Sequence, residues 1–454
     1  MCAKPQPNAH RLHAAETICF HVRSQLASVL DDLDNKQAAE ELYRAVLTVE
    51  PNHLDATYNL ALLLQGKDGA FNGGATIGRE AISLYRTVLA ADASRWDAWA
   101  NLAAAIENLK EAPMLATKSY QKAIVLLEKE HSTSEPGEAE QGYLAKLYFG
   151  FAQLLANFSP SDCAAFAAEE SSLLVGDESE ATDGLCVQNA MNALRVSLEL
   201  DPSHVQAEHM LASLAASTGS SPEISKASPA FVKQLFDDFS DSFEEKLAAL
   251  QYSVPALVGE RLAAYVRSAR AGRSFASAMD AGCGTGLAGP HLRPLVDGSL
   301  VGVDLSPKML KRAAELADVS GRRVYDRLLS EDLLGLQRAD VLTSPREAAA
   351  GLEVIAAADV LVYFGELTDL MGVFDRLSAP SSVLAFSCEK ATADEAPNGW
   401  LIRKSGRFAH TREYVQVLAA AVGFEIVSYE DIVPRIEHGQ PVSGHLFVLR
   451  RGNA

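Results

Sequence analysis

A spaced triplet recurs along the first half of the chain: Ala39, Tyr43 and Val46; Ala81, Tyr85 and Val88; Ala116, Tyr120 and Ala123; Ala190, Leu194 and Ser197. Offsets of four and then three put the members of each triplet on one face of a helix. Between the triplets stand Leu60 with Ala61, Leu102 with Ala103, and Leu211 with Ala212, where a small residue after leucine lets a second helix come close. A helical hairpin of this size cannot bury its apolar stripe alone, so its neighbours must stack on it. The repeat commits this half to stacked helices.

The pattern resembles the tetratricopeptide repeat, whose period is about 34 residues. Counting back from Pro51, the first repeat runs from Phe20 to His53, with Leu26, Ala27 and Leu30 in the expected slots. The stretches 66–78 and 159–184 read as insertions, and Ala93 stands where the pattern has proline. About four repeats are expected between residues 20 and 218, after an N-terminal extension of residues 1–19. The resemblance implies a concave groove for a protein partner; a dimerisation module or a rigid spacer is the competing reading. Residues 219–229, rich in Ser, Gly and Pro, read as a linker.

From about Arg273 the texture changes to short apolar runs alternating with helical segments, the pattern of a parallel sheet covered on both faces. One run ends in Asp280, and Gly282, Gly284 and Gly286 follow it. Glycines in a turn after a strand admit positive φ and let a ligand lie against the backbone. From Gly284 the spacing also fits the dinucleotide fingerprint through Gly286 and Gly289. A carboxylate at Asp280 would repel a pyrophosphate seated there and attract an ammonium instead. The next strand ends in Asp304, placed to accept ribose hydroxyls. Further strands are read at 352–358 and 382–389, and a terminal hairpin from the runs at 424–428 and 444–450.

These elements, in this order, resemble the class I S-adenosylmethionine-dependent methyltransferases, over roughly residues 230–454. The whole chain looks like a family of predicted methyltransferases that carry tetratricopeptide repeats ahead of the catalytic domain. The resemblance implies an α-solenoid followed by a Rossmann-like, seven-stranded α/β domain whose last strand is antiparallel. By the family's pattern Asp280, Gly282, Gly284 and Gly286 form the loop for S-adenosylmethionine. Asp304 and Leu305 would meet the ribose, Asp332 and Leu333 the adenine, and Ala357, at the end of the fourth strand, would also bind the cofactor. The segment with Phe236, Phe239 and Tyr252 reads either as a lid over the cofactor or as a helix docked on the sheet.

For the acceptor side the candidates are Tyr363, Arg407 and Arg435, the two arginines suited to clamping a carboxylate. The same arginines could instead pair with Glu389 or Glu437. His410 is the candidate base near neutral pH, needed only if the acceptor must lose a proton. No Asn-Pro-Pro-Tyr or Asp-Pro-Pro-Tyr run follows the fourth strand, which argues against planar-amide or adenine methylation. The expected function is methyl transfer to an acceptor the sequence does not name, with the repeats recruiting a protein. Alternatives are an inactive adaptor and a nicotinamide-dependent oxidoreductase.

A formal net charge of −19 argues against nucleic-acid backbones and anionic membranes as partners. The six cysteines are scattered, with no C-x-x-C pair for a metal, and read as reduced thiols of a cytoplasmic protein. Cys283, inside the glycine turn, reads as a small filler. Residues 1–20 lack the pattern of a secretory leader, and no membrane span is expected.

Overall fold

The computed structural model describes residues 22–67, 74–131, 137–170, 182–219, 224–318, 320–437 and 439–452. The expected extension 1–19 and Phe20 lie outside the described residues. The chain divides into two compact units, one up to Ala207 and one from Glu208 onward.

In the first unit the helices Lys36–Val49, Leu54–Lys67, Gly74–Ala91, Trp96–Asn108, Pro113–His131 and Glu138–Ala156 pack each on the next. Every triplet residue is buried, between 0% and 7% exposed. The helix Glu138–Ala156 also packs on Thr182–Leu200 and carries a further leucine–small pair, Leu144 and Ala145, both buried. A Cβ on its Gly150 would stand 2.7 Å from the ring of Tyr120, so the two helices can approach this closely only with glycine there. Where Ala93 replaces proline the turn still closes. Asp92 accepts from the Ser94 backbone N–H at 3.0 Å, and Asp201 accepts from Ser203 in the same way at 3.0 Å.

Two expectations are corrected here. The stretch 159–184 is not a plain insertion, because it contains the helix Pro160–Glu170; residues 171–181 lie outside the described residues. Nor are all the cysteines thiols. Cys163 is disulfide-bonded to Cys186, with Cα atoms 5.9 Å apart, because the helix Pro160–Glu170 packs against Thr182–Leu200. A separation of 23 residues matches no spacing motif, so the pairing is invisible in the sequence. Cys283 and Cys388 are free and buried, while Cys2 and Cys19 lie outside the described residues. The argument from thiols to a reducing compartment therefore falls away. Among the described residues, no helix is long and apolar enough to cross a membrane.

The second unit is built on one sheet. Its strands are β1 (Phe275–Ala281), β2 (Val296–Asp304), β3 (Arg327–Ser330), β4 (Leu352–Ala357), β5 (Ser378–Lys390), β6 (Trp400–Ile402), β7 (Phe408–His410), β8 (Phe424–Ile432) and β11 (Gly444–Arg451). The short strands β9 (Ile436–Glu437) and β10 (Gln440–Pro441) pair separately. The main path runs β3-β2-β1-β4-β5-β11-β8, with β11 antiparallel to both neighbours. That is the expected seven-strand arrangement, closed by the expected β8–β11 pair. β6 and β7 are additions at the end of β5.

Alternate residues of these strands serve two cores, as a sheet covered on both faces requires. Ala278, Leu300, Val354, Val383 and Val448 pack with Val254, Val258 and Leu262 of the helix Val254–Ala269. Met279, Val301, Ile355, Leu384 and Leu449 pack on the other face with Leu370, Phe374 and Val415. The helix expected after the glycine turn is a single turn, Gly289–Leu292, that passes into a 3-10 turn at Arg293–Leu295. Pro294 has no N–H to give the carbonyl of Pro290, which ends the α-helical pattern.

The expected linker is only partly a linker. Residues 220–223 lie outside the described residues, but the next ones are fixed to the second unit by backbone hydrogen bonds. Ala227 N–H donates to the Tyr363 carbonyl at 2.8 Å, and Gly365 N–H donates to the Ser225 carbonyl at 2.8 Å. Lys226 thus bridges to Phe364.

Candidate functional site

Parallel strands leave a crevice at their C-terminal ends where the strand order reverses. Here that point lies between β1 and β4. A cavity of roughly 1240 Å³, counted out to its open mouth, occupies it. Asp280, Gly282, Gly284, Asp304, Leu305, Asp332, Leu333, Tyr363, Arg407 and Arg435 all line this one space. Residues far apart in sequence are brought together by the sheet.

The glycine turn follows β1. Gly282 has φ of 67°, and a Cβ there would stand 2.5 Å from Val360 Cγ2. A side chain would therefore be strained and would collide with the turn after β4. Gly286 also has positive φ, 93°, but it packs against Leu316 and Tyr325 and does not line the cavity. Its place is structural. The backbone of Gly284 stays open, its missing Cβ 3.8 Å from Phe243.

Two carboxylates close the floor. Asp280 is 1% exposed, and its Oδ2 accepts from the Tyr325 hydroxyl at 2.6 Å. Burial pushes its pKa up to about 7, against the lowering effect of the Tyr325 bond, and nearby Asp304 raises it further. Asp304 accepts from the Gly284 N–H at 2.9 Å and the Ser306 N–H at 2.8 Å. Burial raises its pKa, and those two backbone donors lower it. With Leu305 N–H as a further donor, these bonds still do not fill the four lone-pair sites of the carboxylate. Asp332 caps the 3-10 turn Leu333–Gly335 by accepting from Leu334 N–H at 3.0 Å.

The roof comes from the lead-in. The helices Pro229–Phe239 and Phe243–Ala249 contain no fully buried residue and place Phe236, Phe243 and Leu247 over the cavity. Phe236 meets Phe243 at 5.8 Å and Tyr363 at 5.6 Å between ring centroids. Asp237 fastens this roof by accepting from the Ser306 hydroxyl at 2.6 Å. Phe236 and Tyr252 therefore line the site, whereas Phe239 is 37% exposed beneath the Lys246 ammonium and does not.

At the far end Arg435 is 1% exposed and lies just ahead of β9. Its Nε donates to Glu437 at 2.6 Å and its Nη2 to Glu389 at 2.5 Å. Both pairings weighed in the sequence therefore form, yet Arg435 still faces the cavity. Arg407 reaches the same space from just ahead of β7, and its nearest carboxylate, Glu389, is 3.8 Å away.

Besides Gly286, two further expected residues are not brought to the cavity. His410 is 0% exposed on β7, with Nε2 3.1 Å from the Gly365 carbonyl and its ring stacked on Tyr414 at 6.1 Å. Burial lowers its pKa to about 4, so it is neutral near pH 7 and has no route to a substrate proton. As candidate base it is corrected to a packing residue, because pairing with β5 turns it inward. Ala357 is likewise sealed in the core, and its neighbour Ala358 lines the cavity instead. His438 lies outside the described residues.

Asp359 is the residue the sequence reading passed over. It holds φ of 57° at the end of β4, its N–H donates to the Ser387 hydroxyl at 2.8 Å, and that hydroxyl donates to its Oδ1 at 2.9 Å. A non-glycine residue there carries strain of about 1–3 kcal/mol, a cost found where function fixes the backbone. Its position after an apolar run at a strand end was the available signal.

An open sheet with this strand order, a glycine turn after β1 and an acid ending β2 define a Rossmann-like domain of the methyltransferase kind. Residues 279–384, from β1 into β5, match the family described as "Methyltransferase domain". No curated protein matches the chain. Among solved structures it is similar to magnesium protoporphyrin IX methyltransferase from Synechocystis PCC 6803 with bound SAH. That similarity has 17% identity and a TM-score of 0.37, over 49% of this chain and 99% of that one. It is also similar to an S-adenosylmethionine-dependent methyltransferase from Mesorhizobium loti, at 20% identity and TM-score 0.29, over 39% of this chain and 91% of that one. A third, from Leishmania major, has 12% identity and TM-score 0.37, over 49% and 82% of the two chains.

Proposed function

We infer that the cavity binds S-adenosylmethionine along its β1–β3 side and presents the methyl to an acceptor lodged at its Arg407–Arg435 end. The observation that carries this reading is the pair of buried carboxylates flanking an open glycine backbone, Asp280 and Asp304. Asp280 meets the ammonium of the methionine tail, and Asp304 accepts from the ribose hydroxyls. Leu333 packs beside the adenine, with Asp332 at its edge. When bound, the cofactor supplies an electrophilic methyl on a sulfonium. The chain supplies alignment, which is worth several kcal/mol and up to about 7–11 in the best cases. The roof of Phe236, Phe243 and Leu247 excludes water from that alignment.

The first unit is read as a tetratricopeptide-type solenoid that recruits a protein, as substrate or tether. Its support is the burial of every triplet residue and the repeated Asp–Ser turn bonds. The test is transfer of labelled methyl from the cofactor into a cell extract, with label followed into protein and small-molecule fractions. Recruitment predicts a dependence on the first unit for protein substrates. Absence of any label transfer by cofactor-binding protein would contradict the enzymatic reading.

A further inference from the structure

Arg435 is held in an unusual way. The carboxylates that take its Nε and Nη2, Glu437 and Glu389, line a different recess on the outer side and not the main cavity. Its Nη1 is buried without a hydrogen-bond partner, the nearest carboxylate oxygen being Asp359 Oδ2 at 3.7 Å. Arg407 lines the same end and stands 3.8 Å from its nearest carboxylate. Tyr252 and Tyr363 line it too, and burial raises the pKa of both, so their hydroxyls stay protonated as donors. The cavity end is therefore rich in donors. Its one carboxylate, Asp359, is engaged by Ser387. The turn at 433–436 is tied to the Tyr252 turn by Ile436 N–H to the Leu250 carbonyl at 2.8 Å and Ser253 N–H to the Pro434 carbonyl at 3.1 Å. The donors are thus preset. Around them the walls are apolar: Val232, Phe236 and Phe364.

We propose that the methyl acceptor is a carboxylic acid with an apolar body, its carboxylate gripped by Arg407 and Arg435 Nη1, and that the product is its methyl ester. This rests on the methyltransferase reading above. A carboxylate oxygen forms the new bond to the methyl carbon, the carbon–sulfur bond breaks, and its electron pair stays on sulfur. No proton moves, so no base is required, which agrees with His410 being walled off. Two guanidinium groups lining one end, Arg407 and the Nη1 of Arg435, fit a carboxylate better than an amine or alcohol. A carboxylate is also present on the methionine tail of the cofactor. The arms of the test separate the two sources.

The full chain is incubated with labelled cofactor and a set of aryl and medium-chain alkyl carboxylates, each beside its primary alcohol and amine. Transfer to acids alone, with label released as methanol by mild alkali, is the expected result. Alkali-stable label, or no transfer to any acid by protein that binds S-adenosylhomocysteine in calorimetry, overturns the proposal. Failure to bind S-adenosylhomocysteine overturns the methyltransferase reading itself. Arg407→Ala, at a partly exposed position, should weaken binding of the best acid to product-loaded protein roughly tenfold or more. It should leave the Kd for S-adenosylhomocysteine within about twofold. The reverse pattern assigns the arginine to the cofactor's own tail and contradicts the proposal.

Discussion

The hydroxyl of Tyr325 donates to Asp280 Oδ2 at 2.6 Å, and Asp280 is almost wholly buried. This bond opposes the burial that pushes the Asp280 pKa up to about 7 from its ordinary 3.8. In the empty protein that group is worth most to stability below pH 3.8, and the contribution is lost as pH rises through about 7. A cationic ligand reverses the preference, since only the carboxylate pairs with an ammonium. Affinity for S-adenosylhomocysteine should therefore fall by up to about tenfold per pH unit below pH 7 and level off above it. Tyr325→Phe should move the breakpoint upward. Calorimetry between pH 5.5 and 8.5 checks both, and a flat profile would refute the pairing.

His410 should matter to folding and not to chemistry. Its pKa, lowered to about 4 by burial, means that its stabilising neutral form is fully favoured above about 6.5 and lost as pH falls through 4. His410→Ala should lower the melting temperature, with a loss of about 1–3 kcal/mol from the emptied packing and the lost bond to Gly365. The rate profile of the wild-type protein should carry no inflection from this histidine between pH 5 and 8. A variant that melts normally but has lost turnover would restore it to the site.

Reduction should loosen the first unit alone. Closing a loop of 23 residues with Cys163 and Cys186 should stabilise that unit by about 3 kcal/mol. Cys163→Ser should lower the melting transition of the repeats and leave S-adenosylhomocysteine binding unchanged. Mass spectrometry of the untreated chain must first find the bond; two free thiols there would contradict it.

The cut between the units is set by particular side chains. His209 and Ser213, on the helix Val205–Ser217, reach the turn that carries Arg407: His209 Nε2 lies 2.7 Å from the Gly406 carbonyl, and Ser213 donates to the Lys404 carbonyl at 3.4 Å. His209 also stacks on Phe231 of the roof at 4.0 Å. A fragment of residues 204–454 should therefore fold and bind cofactor, whereas one starting at residue 221 should be less stable. Equal melting temperatures would show that the helix adds nothing.

The sequence carried the outline because periodicity and glycine turns are local. The triplets and the run through Asp280 and Asp304 need no knowledge of distant partners. What stayed hidden was long-range. Tyr325 finds Asp280 only because β1, β2 and β3 lie side by side. His410 has the composition of a base, but its pairing on β5 faces it inward, and a sequence does not state on which side of a strand the cavity lies. Arg435 and Arg407 were legible as residue types, while the pairing of Arg435 with both Glu437 and Glu389 was legible only as alternatives.

On the function proposed above, Asp280 and Asp304 frame a site for a nucleoside with an ammonium-bearing tail. Titrating S-adenosylhomocysteine and NAD into the full chain and its Asp304→Ala variant tests it most directly. One saturable site for S-adenosylhomocysteine is expected, weakened by about 1.5–3 kcal/mol in the variant, with no comparable binding of NAD. Preference for NAD, or identical affinity in the variant, would contradict it.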